Sequence, residues 1–364
     1  MPNTFLIDGK RIGPGEPVYL VAEMSANHAQ SFDKAMQIIY AAKVCGADAV
    51  KLQTFTPDTI TLDCHSEHFR ISNGSPWNGR ILYDLYQEAQ TPWSWHKRLK
   101  EYANGLGLTL FSSPFDPDAV QFLEDLGMPV YKIASFEITD LYLLESIAQT
   151  GKPIILSTGM ASLAEIREAV DVIKKHNRNS LALLKCTSAY PATPEEMNLR
   201  TIPDLQTTFD LPVGLSDHSL GIAVPIAAVA LGACIIEKHL TLSRQAESPD
   251  NCFSLEPHEF KAMVAAVRTA EKALGEVSYS PTIQEAKNLV FRRSIHAIRD
   301  IRIGEPLSVE NVRSIRPEGG LHPRHLQNII GKRAVVDIPR GTPLQWTHLT
   351  SNDKKKKICV DSTP

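Results

Sequence analysis

The sequence predicts an α/β fold: a (β/α)8 barrel of the TIM type followed by a small second domain. Eight short apolar runs between Val18 and Leu240 each end in a polar, chemically useful residue. They are YLVAE ending at Glu23, AVKLQ at Gln53, LTLFSS at Ser113, VYKIAS at Ser135, PIILST at Thr158, LALLKCT at Thr187, VGLSDH at His218 and CIIEKH at His239. Segments of helical period fall between many of these runs, which is the alternation of a (β/α)8 barrel. After about Gly275 the pattern changes. AIRDIRIGEPL (297–307) there recurs weakly as AVVDIPRGTPL (334–344), each copy a short strand, a turn centred on Gly and another apolar step.

Composition agrees with this division. The 364 residues accommodate a barrel of ~250 residues plus a small domain. At 43% hydrophobic, 22% charged and a net charge of -3, the chain reads as soluble and globular, with no sign of nucleic-acid or membrane binding. No apolar run approaches the ~18 residues of a membrane span. The N-terminal stretch lacks the apolar centre of a signal peptide, so the expected location is the cytoplasm. The six cysteines are scattered with no CxxC pair, which argues against a zinc knuckle or a disulfide scaffold. Cys186 and Cys234, inside strand-like runs, are expected to be buried, inert thiols.

Taken in order, FLIDGKRIG reads as a hairpin turning at Asp8-Gly9 and packing under or beside the barrel. SFDKAMQIIYAAKVCG reads as a helix capped by Ser31, with Asp33 in its first turn and a stop at Gly46. Residues 56–80 interrupt the rhythm; the stretch is polar, carries His65, His68 and GSPWNG, and reads as a long loop over the barrel mouth with Asn78 as its candidate site residue. SLAEIREAVDVIKKH carries a capping box from Ser162 to Glu165. SLEPHEFKAMVAAVRTAEKALG is expected to start at Ser254 and stop at Gly275, as the eighth helix. The domain limits that follow are 1–278 for the barrel, 279–289 for a linker, 290–350 for the repeat domain and 351–364 for a disordered tail. The Lys-rich end of that tail reads as solvated or as an anionic contact.

In this fold the C-terminal strand ends share one mouth, where the chemistry sits. His218 and His239 end the last two strands, and Glu23 ends the first, beside them. Two imidazoles with a carboxylate or water suit a divalent ion such as Mn²⁺, Zn²⁺ or Fe²⁺. Strand alternation puts Ser216 with His218 and Glu237 with His239. Hydrogen-bonded core histidines are the other reading of the same spacing. Lys51 and Gln53 share a strand face, and Lys132 lies in another strand. With Ser113, Ser135 and Ser157, two such lysines suit a phosphate and a carboxylate; outward-facing lysines paired with helix carboxylates are the alternative. Lys132 has the opposite parity to Ser135 and Glu137, so a bulge or a strand end is needed for all three to face inward. Tyr190-Pro191 suits a pocket wall or plain loop packing.

EMSANH (23–28), KLQT (51–54), FSSPFD (111–116), YKIASFE (131–137), LSTGM (156–160), KCTSAYP (185–191), GLSDH (214–218) and EKH (237–239) together resemble the sialic acid synthase family. The C-terminal repeat resembles the antifreeze-protein-like (SAF, β-clip) domain that follows the barrel there. The resemblance runs from about Phe5 to Leu349. It implies condensation of phosphoenolpyruvate with the open-chain aldehyde of an N-acylated hexosamine, giving a nine-carbon 2-keto acid sugar and phosphate. It further implies that His218 and His239 hold a divalent metal, usually Mn²⁺ with Mg²⁺ or Co²⁺ as alternatives, acting as a Lewis acid on the aldehyde.

The resemblance also carries residue roles. Glu23 is implied to act on or orient the aldehyde, and Glu137 to serve the sugar hydroxyls or the attacking water. Lys51, Lys132, Ser135, Ser157 and Ser216 are implied to hold phosphate and carboxylate, while Ser113, Phe115, Gln53, Asn78 and Tyr190 shape the pocket. Sialic acid synthases carry Asn where this chain has Ser188, so a phosphate contact there is shorter or water-mediated. The family's domain-swapped homodimer makes Arg316, in RPEGG, the candidate to reach the sugar's N-acyl group in the partner's barrel; the added glutamate alters that loop. EMSANH, LYDLYQEAQTPW (82–93), SFE (135–137) and KCTSAYP resemble the branch that takes 2,4-diacetamido-2,4,6-trideoxy-altropyranose, against branches making N-acetylneuraminic or legionaminic acid. A non-catalytic sugar-binding barrel and an aldolase using a Lys132 Schiff base are the rivals from other classes.

Overall fold

A computed structural model describes residues 4–177 and 180–351. The Lys-rich tail and Cys359 lie outside the described residues. The chain forms two compact units that meet in sequence between Gly275 and Glu276.

In the first unit, strands β1 (Phe5–Ile7) and β2 (Lys10–Ile12) form an antiparallel hairpin. Its two turn residues both have positive φ, 48° at Asp8 and 81° at Gly9, which matches the twist of a two-residue hairpin turn. Phe5, Ile7 and Ile12 pack with Tyr19, Val21, Ala49, Phe111 and Ile235, so the hairpin plugs one end of the barrel.

The barrel strands are β3 (Tyr19–Glu23), β4 (Ala49–Thr54), β5 (Thr109–Pro114), β6 (Tyr131–Ile133), β7 (Ile154–Ser157), β8 (Leu181–Cys186), β9 (Val213–Asp217) and β10 (Ile235–His239). All pair in parallel, and β10 closes the barrel on β3 with His239 opposite Glu23. Each apolar run marked in the sequence is one of these strands. A second, larger apolar cluster lies between strands and helices, from Leu20 and Val50 through Leu99, Leu144 and Ile173 to Phe260.

The helices follow their caps. Ser31 accepts from the Lys34 amide at the start of helix Phe32–Cys45, and Gly46 ends it with φ 89°. Ser162 and Glu165 form the reciprocal box of helix Leu163–His176. The eighth helix departs from expectation at its start. It runs Pro257–Leu274 and is capped by Glu256 boxed with Glu259, not by Ser254. Ser254 is buried instead; its hydroxyl donates to the Asp250 carbonyl and accepts from Asn27. Pro257, suited to the first helical position, sets the true boundary. Within residues 56–80, one turn of helix (Pro57–Ile60) and a 3-10 turn (Glu67–Phe69) give the loop some structure, and helix Leu82–Ala89 follows.

In the second unit, β11 (Ser294–Ala297) pairs antiparallel with β12 (Val312–Ile315) over a small core of Ile295, Ile301, Leu307, Ile329, Ile338 and Leu344. The sequence repeat is visible as a repeat of hydrogen bonds. Ile301 and Ile338, equivalent in the two copies, donate to each other's carbonyls at 2.9 and 2.8 Å. Asp300 accepts from the Arg340 amide at 2.8 Å, and its counterpart Asp337 accepts from the Ile303 amide at 2.7 Å. Gly304 donates to Ala334 and Gly341 to Ala297, again as equivalents. The stretch read as a linker contains one exposed helical turn, Ile283–Ala286, boxed by Thr282 and Glu285.

Two buried imidazoles make the barrel sensitive to acid. His28 shares a hydrogen bond with Thr91 at 3.1 Å, and His96 one with Thr54 at 2.8 Å, which in turn meets Ser112 at 2.6 Å. Burial lowers both to about 4, against about 6.5 in an unfolded chain. The unfolded state therefore binds more protons between those values. Stability should fall as pH drops from about 6.5 to about 4, by on the order of a few kcal/mol. Urea midpoints across that range, compared between the native chain and His96→Gln, should show a shallower pH dependence in the variant; equal slopes would exclude His96 as a source.

Candidate active site

A cavity of about 420 Å³ opens at the C-terminal ends of the strands. Lys51 and Gln53 enter it from β4, Phe115 from the end of β5, Lys132, Ser135 and Glu137 from β6 and the turn after it, and Ser157 from β7. Cys186 and Tyr190 come from β8 and its loop, Ser216 and His218 from β9 and its end, and Glu237 and His239 from β10. The parity conflict at Lys132 is resolved by a strand end. β6 stops at Ile133, and Ser135–Glu137 form a 3-10 turn that redirects Ser135 and Glu137 inward.

Both lysines point into the barrel rather than outward. Lys51 Nζ lies 2.7 Å from Glu23 Oε2 and 3.5 Å from Glu237 Oε1, and it donates to Ser113 at 3.3 Å. Lys132 Nζ donates to Ser157 Oγ at 2.7 Å and to the Ile133 carbonyl at 2.9 Å, 3.9 Å from Glu237 Oε1. Burial pushes the Glu23 carboxyl up to about 7 while the Lys51 ammonium opposes it. Its two oxygens, one on Lys51 and the other accepting from Gln53 at 3.1 Å, are arranged for the ionised form. Burial alone would raise Glu237, but Lys132 and Lys51 together hold it below its usual range. Burial pulls Lys132 down. It also pushes Glu137 up to about 7, against Lys132, so that side chain can carry or release a proton near neutrality.

The two terminal histidines face each other with ring centroids 5.3 Å apart. His218 Nδ1 donates to the Thr187 carbonyl at 3.0 Å, so in the neutral ring the lone pair is on Nε2; burial opposes the charged form, yet the neighbouring Cys186 holds His218 above its usual range. His239 Nδ1 is buried with no hydrogen-bond partner among the described residues. Burial and neighbouring positive charge hold His239 well below its usual pKa, so it is neutral. A buried, unsatisfied, neutral imidazole is not a contented core histidine; a divalent cation fits this pair. The carboxylate read as a possible third ligand is not one, since Glu23 is committed to Lys51 and Gln53. Among the described residues no three His, Cys, Asp or Glu side chains form a ligand cluster, so substrate and water would complete the coordination.

After β6, β7 and β8 the chain makes a cradle of hydroxyls. The Gly159 amide donates to Ser135 Oγ at 3.1 Å. A Cβ on Gly159 would collide with the hydroxyls of Ser188 and Ser135. Ser188 thus borders the cradle, with a shorter reach than Asn.

Five sequence candidates do not line the cavity: Glu23 and Ser113 are bonded to Lys51, Ser188 borders Gly159, and Asn78 and Arg316 are exposed. The Asn78 side chain accepts from the Gly74 amide at 3.0 Å, holding its own turn. Arg316 lies on the C-terminal unit. The residue of GSPWNG that does reach the cavity is Trp77, whose Nε1 donates to the Pro249 carbonyl at 2.8 Å and whose ring lies 5.3 Å from Tyr190. Tyr190 is a wall, 4.4 Å from the His218 ring. Asp250 also lines the cavity, accepting from Ser25 and from the Ala26 amide at 3.3 Å. Cys186 is buried as expected, yet it borders the cavity with its sulfur 3.7 Å from Ser188 Oγ and 3.9 Å from His218 Nδ1.

If the cradle holds an oxyanion, filling it should matter more than any change of fold. Gly159→Ala is expected to weaken inorganic phosphate binding by more than ~10-fold in calorimetry, the loss of at least one good charge-assisted hydrogen bond. Unchanged phosphate affinity in a folded variant would place the anion elsewhere.

Residues 38–279 match the NeuB family and residues 292–350 the SAF domain. A pseudaminic acid synthase of Campylobacter jejuni is 48% identical over 328 residues, 90% of this chain and 95% of that one. One from Helicobacter pylori is 44% identical over 331 residues, 90% of this chain and 97% of that one. The crystal structure of an N-acetylneuraminic acid synthetase from Leptospira borgpetersenii in complex with citrate superimposes with a TM-score of 0.71 at 31% identity, covering 79% of this chain and 96% of that one. At such identities over nine-tenths of its length, the chain belongs to the NeuB family and carries a SAF domain after its barrel.

Proposed function

We propose that the chain is a pseudaminic acid synthase, condensing phosphoenolpyruvate with the open-chain form of 2,4-diacetamido-2,4,6-trideoxy-altropyranose. The observation that carries the reading is the pairing of two buried lysines and a serine cradle with two facing histidines, inside a chain 48% identical to a relative of that name. In this reading Lys132, Ser135, Ser157 and the cradle at Gly159 hold the phosphate, and Lys51 with Ser216 holds the carboxylate. Such donors, dry and already in place, bind an anion with little reorganisation.

C3 of phosphoenolpyruvate attacks the aldehyde carbon, a C–C bond forms, and positive charge develops at C2. Water adds to C2, and phosphate leaves with its bridging oxygen as the C2–O bond breaks. A divalent ion, Mn²⁺ in this reading with Mg²⁺ or Co²⁺ as alternatives, would be held by His218 and His239 and supply Lewis acidity at the aldehyde oxygen. Glu23 orients the aldehyde, and the Lys51 ammonium beside it can give a proton to the new hydroxyl. Glu137, poised near 7, can take the proton that the attacking water loses. Synthesis of N-acetylneuraminic or legionaminic acid by the same chemistry is the alternative. The reading places the enzyme in the cytoplasm; among the described residues no helix is long and apolar enough to cross a membrane.

Phosphate release from phosphoenolpyruvate with Mn²⁺ decides among these. Release with the altropyranose substrate and not with N-acetylmannosamine, abolished by a chelator, is the expected result. Release with N-acetylmannosamine instead would move the substrate to the sialic acid branch.

The reading extends to a homodimer in which Arg316 of one copy serves the barrel mouth of the other. Arg316→Ala should then raise KM for the sugar by ~10-fold or more, the loss of a hydrogen bond from a charged donor, with KM for phosphoenolpyruvate little changed. Equal changes in both would exclude that contact.

A further inference from the structure

The cavity has two chemically different ends. Lysines, histidines, serines and carboxylates occupy the barrel axis. The other wall comes from residues 55–89 and from Phe115, and it is mostly apolar, with Asn73, Trp77 and Tyr86 as its polar members. Phe55, Ile60, Ile71, Leu82, Leu85 and Phe115 line it, with Phe55 and Phe115 edge-to-face at 5.3 Å. The polar atoms that this stretch brings are few, and two of them are committed. Trp77 Nε1 is bonded to the Pro249 carbonyl, and Asn73 Oδ1 accepts from the Ser75 amide. The Tyr86 hydroxyl lies within the electrostatic reach of Glu137.

We propose that this wall is the specificity element of the enzyme and receives the methyl-bearing far end of the acceptor sugar, its C6 methyl first. The proposal rests on the functional reading above. With the aldehyde at the histidines, a six-carbon open chain directs its distal carbons away from the lysines. In the proposed substrate those carbons carry a 4-acetamido methyl and the C6 methyl, both matched by the wall. A C6 hydroxyl would lose its water there and find no free donor or acceptor among the wall's aliphatic and phenyl side chains. An apolar pocket of this kind discriminates against one added hydroxyl by about 100-fold. The polar end cannot make this distinction, since both sugars present it with the same aldehyde.

The test compares 2,4-diacetamido-2,4,6-trideoxy-altropyranose with its 6-hydroxy counterpart, in kcat/KM for phosphate release and in direct binding by calorimetry. The native chain should prefer the 6-deoxy sugar by about 100-fold. Ile71→Thr and Ile60→Thr, at half-buried positions where a hydroxyl disturbs the fold least, should each shrink that ratio several-fold, mostly by improving use of the 6-hydroxy sugar. Leu85→Asn should shrink it more, with thermal unfolding as the check that it folds. A ratio unchanged in both threonine variants, or equal affinity of the native chain for the two sugars, would overturn the wall. Absence of phosphate release with both sugars would count against the functional reading, and the binding ratio would still decide the wall.

Discussion

The site depends on burying charge at the barrel mouth. Lys51, Lys132, Glu23 and Glu237 are each almost wholly removed from solvent, and taking an ion out of water costs several kcal/mol unless its partners repay it. Repayment requires register. Glu23 sits opposite Lys51 across β3 and β4 and opposite His239 across β3 and β10, and Glu237 sits opposite Ser216 across β10 and β9. A slip of one residue in any of these strands would turn its charged side chains toward the helices. Closure of the sheet into a barrel is therefore also what assembles the site. The opposite parity serves the same end: Lys238 and Asp217, on the outer faces of β10 and β9, form a fully buried pair at 2.5 Å that pins the two histidine-bearing strands together.

Such a polar mouth is tolerable because the rest of the barrel is not polar. Below the charged layer the inward side chains are Val21, Ala49, Phe111, Ile155, Leu184 and Ile235, closed underneath by the hairpin. Glycine appears where backbone must come close. At Gly214 a Cβ would strike the Ile235 carbonyl between β9 and β10, and at Gly159 it would fill the hydroxyl cradle. One glycine keeps the histidine strands adjacent; the other keeps the space between the Ser135 and Ser188 hydroxyls open.

Much of this is legible in the sequence because barrel strands write their function at their ends. An apolar run that stops at a polar residue marks both the strand and the mouth, so Glu23, Gln53, Ser113, Ser157, His218 and His239 stand out from their positions in the chain alone. What is not legible depends on geometry that has no period. Within GSPWNG the polar Asn78 looks functional, but a short amide beside glycines serves its own turn, and the adjacent Trp77 carries enough ring to cross to Tyr190. Ser254 resembles a helix cap by type; Pro257 moves the boundary, and the hydroxyl is spent on Asp250 and Asn27. Cys186 is buried in the barrel as its apolar run implies, but burial says nothing about which cavity a side chain borders. The C-terminal repeat is readable because equivalent residues must make equivalent bonds, as Asp300 and Asp337 do.

The charge count of the mouth constrains what it can accept. With Glu23 and Glu237 ionised against Lys51 and Lys132, the array is close to neutral on its own. A phosphate ester that also carries a carboxylate brings several negative charges into that neutral, dry space. The donors of the cradle orient those charges but do not cancel them. Compensation can come from protons taken up by carboxyls, of which Glu23 and Glu137 stand near 7, or from a cation at the histidine pair, where the neutral His239 has a ring nitrogen with no partner among the described residues. Protons on both carboxyls would remove the base and the orienting anion that the chemistry needs. A cation would cost the site neither, and the neutral state of His239 together with the near-neutral lysine–carboxylate array is compatible with such a charge arriving from outside the chain.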